Sequence, residues 1–140
     1  MPTILEQLER VPAEATALRL PGEDVAYGAL RERIATAAAS LAAGGVGAGD
    51  RVLLRAADDL SRLIGSLAVQ RLGAAVVPIN PLTSGPELDH VVARSAPAAL
   101  IAGEDLAGDV PGGDDMGVWI AQAGRLTARR PCARSSEPVA

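Results

Sequence analysis

An alternation between residues 51 and 102 constrains the fold more than any other feature of the chain. RVLLRA at 51–56, AAVVPI at 74–79 and AALIA at 98–102 are short apolar runs bounded by turn residues. Runs of this kind read as strands covered on both faces, although Pro78 marks a strand end or an edge. Between the first two, Leu60, Leu63, Ile64, Leu67, Ala68 and Leu72 repeat at helical spacing. An N-cap at Asp58 or Asp59 opens that helix and Gly73 closes it. Between the second and third runs, Ser84-Gly85-Pro86-Glu87 has the spacing of a capping box, and Leu88, Val91, Val92 and Ser95 share one helix face ahead of Pro97. Strand, helix, strand, helix, strand makes two consecutive crossover units, which join parallel strands. The fold class is therefore α/β, part of a doubly wound sheet.

Upstream, residues 17–27 read as two short extended runs around Pro21-Gly22-Glu23-Asp24, a small hairpin. From Gly28 the pattern turns helical, with Leu30, Ile34, Ala37, Ala38 and Leu41 on one face until Gly44-Gly45 stops it. Downstream of Gly103 the periodicity is lost. Residues 103–115 are acidic and loop-like, and residues 117–140 carry four Arg against one Glu, ending in ARRPCARSSEPVA. The expected division is a folded segment at 1–103, then an acidic loop and a basic, disordered tail at 104–140.

A single domain of 140 residues can bury a core without disulfides. With no Phe, one Tyr (Tyr27) and one Trp (Trp119), that core must be built from Leu, Val, Ile and Ala. The lack of aromatics and the formal charge of -4 exclude base-stacking platforms and argue against any nucleic-acid partner. All 13 basic residues are Arg, so the chain supplies no Schiff-base lysine and no phosphate-loop lysine. The one cysteine, Cys132, excludes an internal disulfide and a Cys-based zinc cluster. The N-terminal MPTILEQLER is not a secretory signal, and the uncharged stretch 34–49 is too short to cross a bilayer. The expectation is a cytoplasmic protein with no membrane partner.

Candidate chemistry is sparse. The string Gly44-Gly45-Val46-Gly47-Ala48-Gly49-Asp50 resembles a phosphate cradle in composition. It follows a helix and precedes a strand, however, whereas a dinucleotide loop does the reverse, so it reads as a turn. His90 beside Asp89 invites an acid–base role, but neighbours on a helix do not face each other. Asp58-Asp59 and Asp114-Asp115 lack metal-ligand spacing and read as a helix cap and a solvated loop. Cys132 has basic neighbours yet sits in the expected tail, where it reads as a bystander thiol. Open α/β sheets bind ligands at the carboxyl ends of their strands, here near Ala57, Asn80, Thr83 and Gly103. That identifies an edge; no catalytic, cofactor-binding or metal-binding residue is assigned.

Three ordered segments carry a resemblance. Val25-Ala26-Tyr27-Gly28-Ala29-Leu30, Gly45-Val46-Gly47-Ala48-Gly49-Asp50-Arg51-Val52 and the run 71–81, RLGAAVVPINP, resemble the N-terminal portion of AMP-forming acyl-CoA synthetases. Those enzymes belong to the adenylate-forming superfamily, with luciferases and peptide-synthetase adenylation domains. The first segment is similar to the core motif T/S-Y-x-E-L, with Ala26 and Ala29 departing from it. The last is similar to L-K-A-G-x-A-Y-V-P-I-D, with Arg71 for Lys and Asn80 for Asp. Asn80-Pro81-Leu82 favours the acyl-CoA ligase branch over adenylation domains. The resemblance covers residues 12–103 and implies activation of a carboxylate by ATP to an acyl-adenylate, then thioester formation with CoA. ATP, Mg and CoA are implied for the full-length family and none for this chain, because the family's phosphate loop, ribose-binding Asp and catalytic Lys lie beyond the matching region. Three readings follow: an N-terminal part of a ligase that is not catalytic alone, one half of a split ligase completed by a separate chain, or a non-catalytic interaction module.

Overall fold

The computed structural model describes residues 3–108, 110 and 115–132. The chain opens with α1 (Ile4–Arg10), capped by Thr3 and Glu6 in a reciprocal capping box. The hairpin β1 (Thr16–Leu20) and β2 (Glu23–Ala26) follows, turning at Pro21-Gly22, where Gly22 has φ +86°. Next comes α2 (Tyr27–Ala43), and its buried face is Leu30, Ile34, Ala37, Ala38 and Leu41, the five positions expected from the spacing.

The main sheet begins with β3 (Arg51–Arg55), α3 (Asp59–Arg71), β4 (Ala75–Pro78), α4 (Gly85–Ser95) and β5 (Ala99–Ala102). Two strands absent from the sequence-based expectation complete it, β6 (Gly117–Gln122) and β7 (Arg125–Arg130). Strand order is β4-β3-β5-β6-β7, with the first four parallel and β7 antiparallel. The chain steps from β3 to β4 in one direction, then passes back over β3 to reach β5. Crossovers share one hand, so this reversal puts successive helices on opposite faces. Two separate cores result. Val52, Leu54, Ala99, Ile101 and Trp119 meet α2 and α3 on one face, while Leu53, Leu100 and Ala102 meet Leu88 and Val92 of α4 on the other. Each fully buried Leu, Ile or Val contributes about 1.5–3 kcal/mol.

Three expectations need correction. Strand β4 is covered only in part: it lies at the sheet edge, as Pro78 implied, with Val76 packed against one core and Val77 against the other while Ala75 and Pro78 are exposed. The capping box at Ser84 does not form, because Gly85 at φ +63° turns the chain before Pro86 and the Ser84 hydroxyl caps nothing. Finally, the sheet continues past residue 103 into what read as a disordered tail; residues 133–140 of that tail lie outside the described residues. Trp119 explains the continuation. It is fully buried, donates from Nε1 to Ser40 Oγ at 3.0 Å, and lies over Gly44, where a methyl group would overlap the indole. Arg125 and Arg129 are exposed side chains of an edge strand, where charge blocks further pairing; Arg130 is half-buried and donates from Nε to Met116 O at 2.9 Å, and Arg134 lies outside the described residues.

The β6–β7 turn is two residues long, with Ala123 at φ +51° and Gly124 at φ +82°. Both positive angles match the hairpin turn that twists with its strands. Gly124 is required twice over: it takes φ +82°, and a Cβ would stand 2.7 Å from Ile64 Cδ1 and 2.8 Å from Leu60 Cγ; its N–H donates to the buried Ser61 Oγ at 3.0 Å. Ala123 is exposed and carries the left-handed cost without compensation. Ala123→Asn is therefore expected to stabilise the chain by about 1 kcal/mol. Thermal unfolding followed by Trp119 fluorescence checks this, and an unchanged or lowered midpoint would contradict the turn.

Candidate functional site

Because the strand order reverses between β3 and β5, the carboxyl ends of those two strands flank a topological switch point, where open α/β sheets leave a crevice. A groove of about 560 Å³ lies there. Its walls are Ala57 and Asp58 after β3, residues 103–105 after β5, and residues 120–122 of β6. Two of the four rim positions expected from the sequence, Ala57 and Gly103, line it. Asn80 and Thr83 lie in the loop after β4, outside the groove. The β6 wall was not anticipated, because that strand was read as tail.

The residue that organises this rim is Arg55, which sequence reasoning did not single out. It ends β3 and is only 2% exposed. Its Nη1 donates to Leu106 O at 2.9 Å, and its Nη2 to Pro81 O at 3.2 Å and Thr83 O at 2.7 Å. One guanidinium thus holds the loop after β4 and the loop after β5. Its Nε is buried with no partner among the described residues. The signal available in the sequence was a charged residue inside an otherwise apolar strand.

The acidic side chains of the groove are largely engaged. Asp58 Oδ1 accepts from Ser61 N at 2.8 Å as the N-cap of α3. Glu104 receives both of its bonds from Arg129 Nη2, at 2.7 and 2.6 Å. Asp105 is exposed. Among the described residues, no His, Cys, Ser, Thr or Lys lines the groove. Among the described residues, no group of three or more His, Cys, Asp or Glu could hold a metal ion.

The other sequence candidates fall elsewhere. The glycine-rich string lies at the amino end of β3, opposite the groove. There Asp50 Oδ2 accepts from Gly47 N at 2.8 Å, and Gly45 and Gly49 take φ +104° and +83°. It is a turn whose amides are bonded within the chain: Gly47 N to Asp50, Gly45 N to Ala42 O, Val46 N to Leu41 O and Gly49 N to Gly73 O. His90 and Asp89 are both exposed on α4. Asp59 pairs with Arg62 on the surface of α3. Asp115 is exposed, and Asp114 lies outside the described residues. Cys132 is no bystander of an unfolded tail: its N–H donates to Gly44 O at 2.8 Å and its Sγ to Ala98 O at 3.3 Å. No helix among the described residues is long and apolar enough to cross a membrane.

Comparison with known proteins settles the family. The model of the AMP-binding enzyme family matches residues 4–135. The chain belongs to that family. Relatives of the chain include a 2-succinylbenzoate–CoA ligase from Salmonella typhimurium, 46% identical over 72 residues, 51% of this chain and 16% of the ligase. A feruloyl-CoA synthase from Amycolatopsis is 38% identical over 92 residues, 66% of this chain and 19% of the synthase. The chain thus spans less than a fifth of the length of these curated relatives. Among solved structures, IdnL1 superposes with a TM-score of 0.73 at 30% identity, over 91% of this chain and 26% of its own. The N-terminal subdomain of Klebsiella oxytoca NpsA, in complex with anthranilyl-AMSN, gives 0.69 at 27% identity, over 79% of this chain and 28% of its own. The α/β fold and its adenylate-forming relatives agree.

If Asp58 serves as a helix cap and His90 as a surface residue, substitution separates them. Asp58→Ala is expected to destabilise the chain by about 1 kcal/mol. His90→Ala is expected to stay within about 0.5 kcal/mol. Urea unfolding of the two variants measures both, and a larger loss for His90 would contradict the assignment.

Proposed function

We propose that these residues are the N-terminal scaffold of an AMP-forming acid–thiol ligase and do not activate a carboxylate by themselves. In the reaction this implies, the carboxylate oxygen attacks the α-phosphorus of ATP and pyrophosphate leaves. A thiol of CoA then displaces AMP from the acyl-adenylate. The observation that carries the reading is the family match over residues 4–135 in a chain that spans 16% and 19% of two acyl-CoA ligase relatives. The names of those relatives favour CoA as the acceptor, as does Asn80-Pro81-Leu82 in this sequence.

The chemistry of the rim supports the second half of the proposal. Asp58 and Asp105 line the switch-point groove, and their like charge opposes entry of a triphosphate, while Glu104 is paired with Arg129. The glycine-rich turn has its amides bonded within the chain, and the chain has no lysine to serve as the family's catalytic Lys. The groups that bind nucleotide and stabilise the transition state therefore belong to residues outside this segment, whether on the same polypeptide or on a separate chain.

Exchange of radiolabelled pyrophosphate into ATP tests this. The purified 140-residue chain is expected to show no exchange above buffer with panels of aromatic, aliphatic and amino acids. Carboxylate-dependent exchange by this chain alone would overturn the non-catalytic reading. Exchange restored only on mixing with a second polypeptide would favour a split ligase.

A further inference from the structure

We infer that Arg55 is a positioning residue that couples the two rim loops, so that a displacement of the loop after β4 is transmitted to the wall of the switch-point groove. The inference does not depend on the reaction proposed above. Each loop is closed locally by its own turn. In the first, Thr83 N donates to Asn80 O at 2.9 Å and Leu82 N to Asn80 Oδ1 at 2.8 Å. In the second, Leu106 N donates to Gly103 O at 2.9 Å, and Gly103 N to Arg55 O at 3.3 Å. Among the described residues, the hydrogen bonds that join one turn to the other run through the Arg55 guanidinium.

Filling space does not account for an arginine here. The neighbouring β3 positions, Val52, Leu53 and Leu54, are buried apolar residues, and another would fill the strand without the cost of burying charge. What an apolar side chain cannot do is donate to three carbonyls from two loops at once. The planar fork of arginine can, and the point charge of lysine cannot reproduce it. Leu106 belongs to the turn whose residues 103–105 line the groove. Contact with the loop after β4, by a ligand or by another part of a larger enzyme, therefore alters the groove without touching it.

Amide hydrogen exchange on the 140-residue chain tests the coupling in a double-mutant cycle. Asn80→Ala removes the acceptor for Leu82 N. It is expected to speed exchange at Leu82 and, by about fivefold or more, at Leu106 in the other loop. In an Arg55→Met background the same substitution is expected to leave Leu106 unchanged. The Leu41 amide in α2 serves as reference, since a merely structural effect would move it as much as Leu106. Should Arg55→Met fail to fold, Arg55→Lys takes its place in the cycle and is expected to abolish the fivefold response. The proposal is overturned if Leu106 ignores Asn80→Ala while Arg55 is present. It is equally overturned if Leu106 responds alike with and without Arg55, or if Leu82 and Leu106 are unprotected in the unsubstituted chain.

Discussion

Strand β3 is buried on both faces, and the placement of the other elements follows from that. Val52 and Leu54 enter the core under α2 and α3, and Leu53 enters the core under α4. A strand of alternating side chains can serve two cores only if one crossover lies on each face, which requires the chain to reverse direction across the sheet. The reversal places β4 on one side of β3 and β5 on the other, and it opens the crevice at the carboxyl ends of β3 and β5. Arg55 is the last residue of the same strand. Its burial at that crevice is therefore a consequence of the topology, and its three carbonyl partners are the loops that the topology brings there.

The second organising contact lies at the opposite side of the sheet. Trp119 seats β6 against the C-terminal end of α2, and Gly44 and Gly117 leave room for the ring; a Cβ at Gly117 would stand 2.7 Å from Trp119 Cζ3. Ser61, buried in α3, then receives the turn of the β6–β7 hairpin through Gly124. The hairpin closes the face covered by α2 and α3 and supplies the third wall of the groove. A scaffold built in this way holds loops in place. Of the acids that line its crevice, Asp58 is committed to a helix cap and Glu104 to an ion pair, with Asp105 exposed.

The sequence analysis was accurate where a local rule coincides with the tertiary outcome. Leu30 to Leu41 at helical spacing, Asp58 as a cap, Gly73 at φ +76° after α3 and Pro78 on an edge strand all needed one principle each. It failed where long-range contacts decide. GVWIAQ is a strand because Trp119 finds Ser40 and Gly44 far away in sequence, and RLTARR is a strand because it pairs with GVWIAQ. The Ala123-Gly124 turn gave little warning, since alanine at positive φ is uncommon. At the rim, position was legible in Ala57 and Gly103, but the organising role of Arg55 was not, because its partners come from two loops distant in sequence. Thr3 and Glu6 form a capping box that was overlooked, while Ser84 and Glu87 have the same spacing and form none. Spacing alone does not distinguish them; the backbone turn at Gly85 does.

The central proposal is that this chain, a member of the AMP-binding enzyme family, is scaffold with no nucleotide-binding capacity of its own. Isothermal titration of the purified chain with ATP and Mg, carried to about 1 mM nucleotide, tests it most directly. The account predicts heats of dilution alone. A saturable, one-to-one binding isotherm would contradict it.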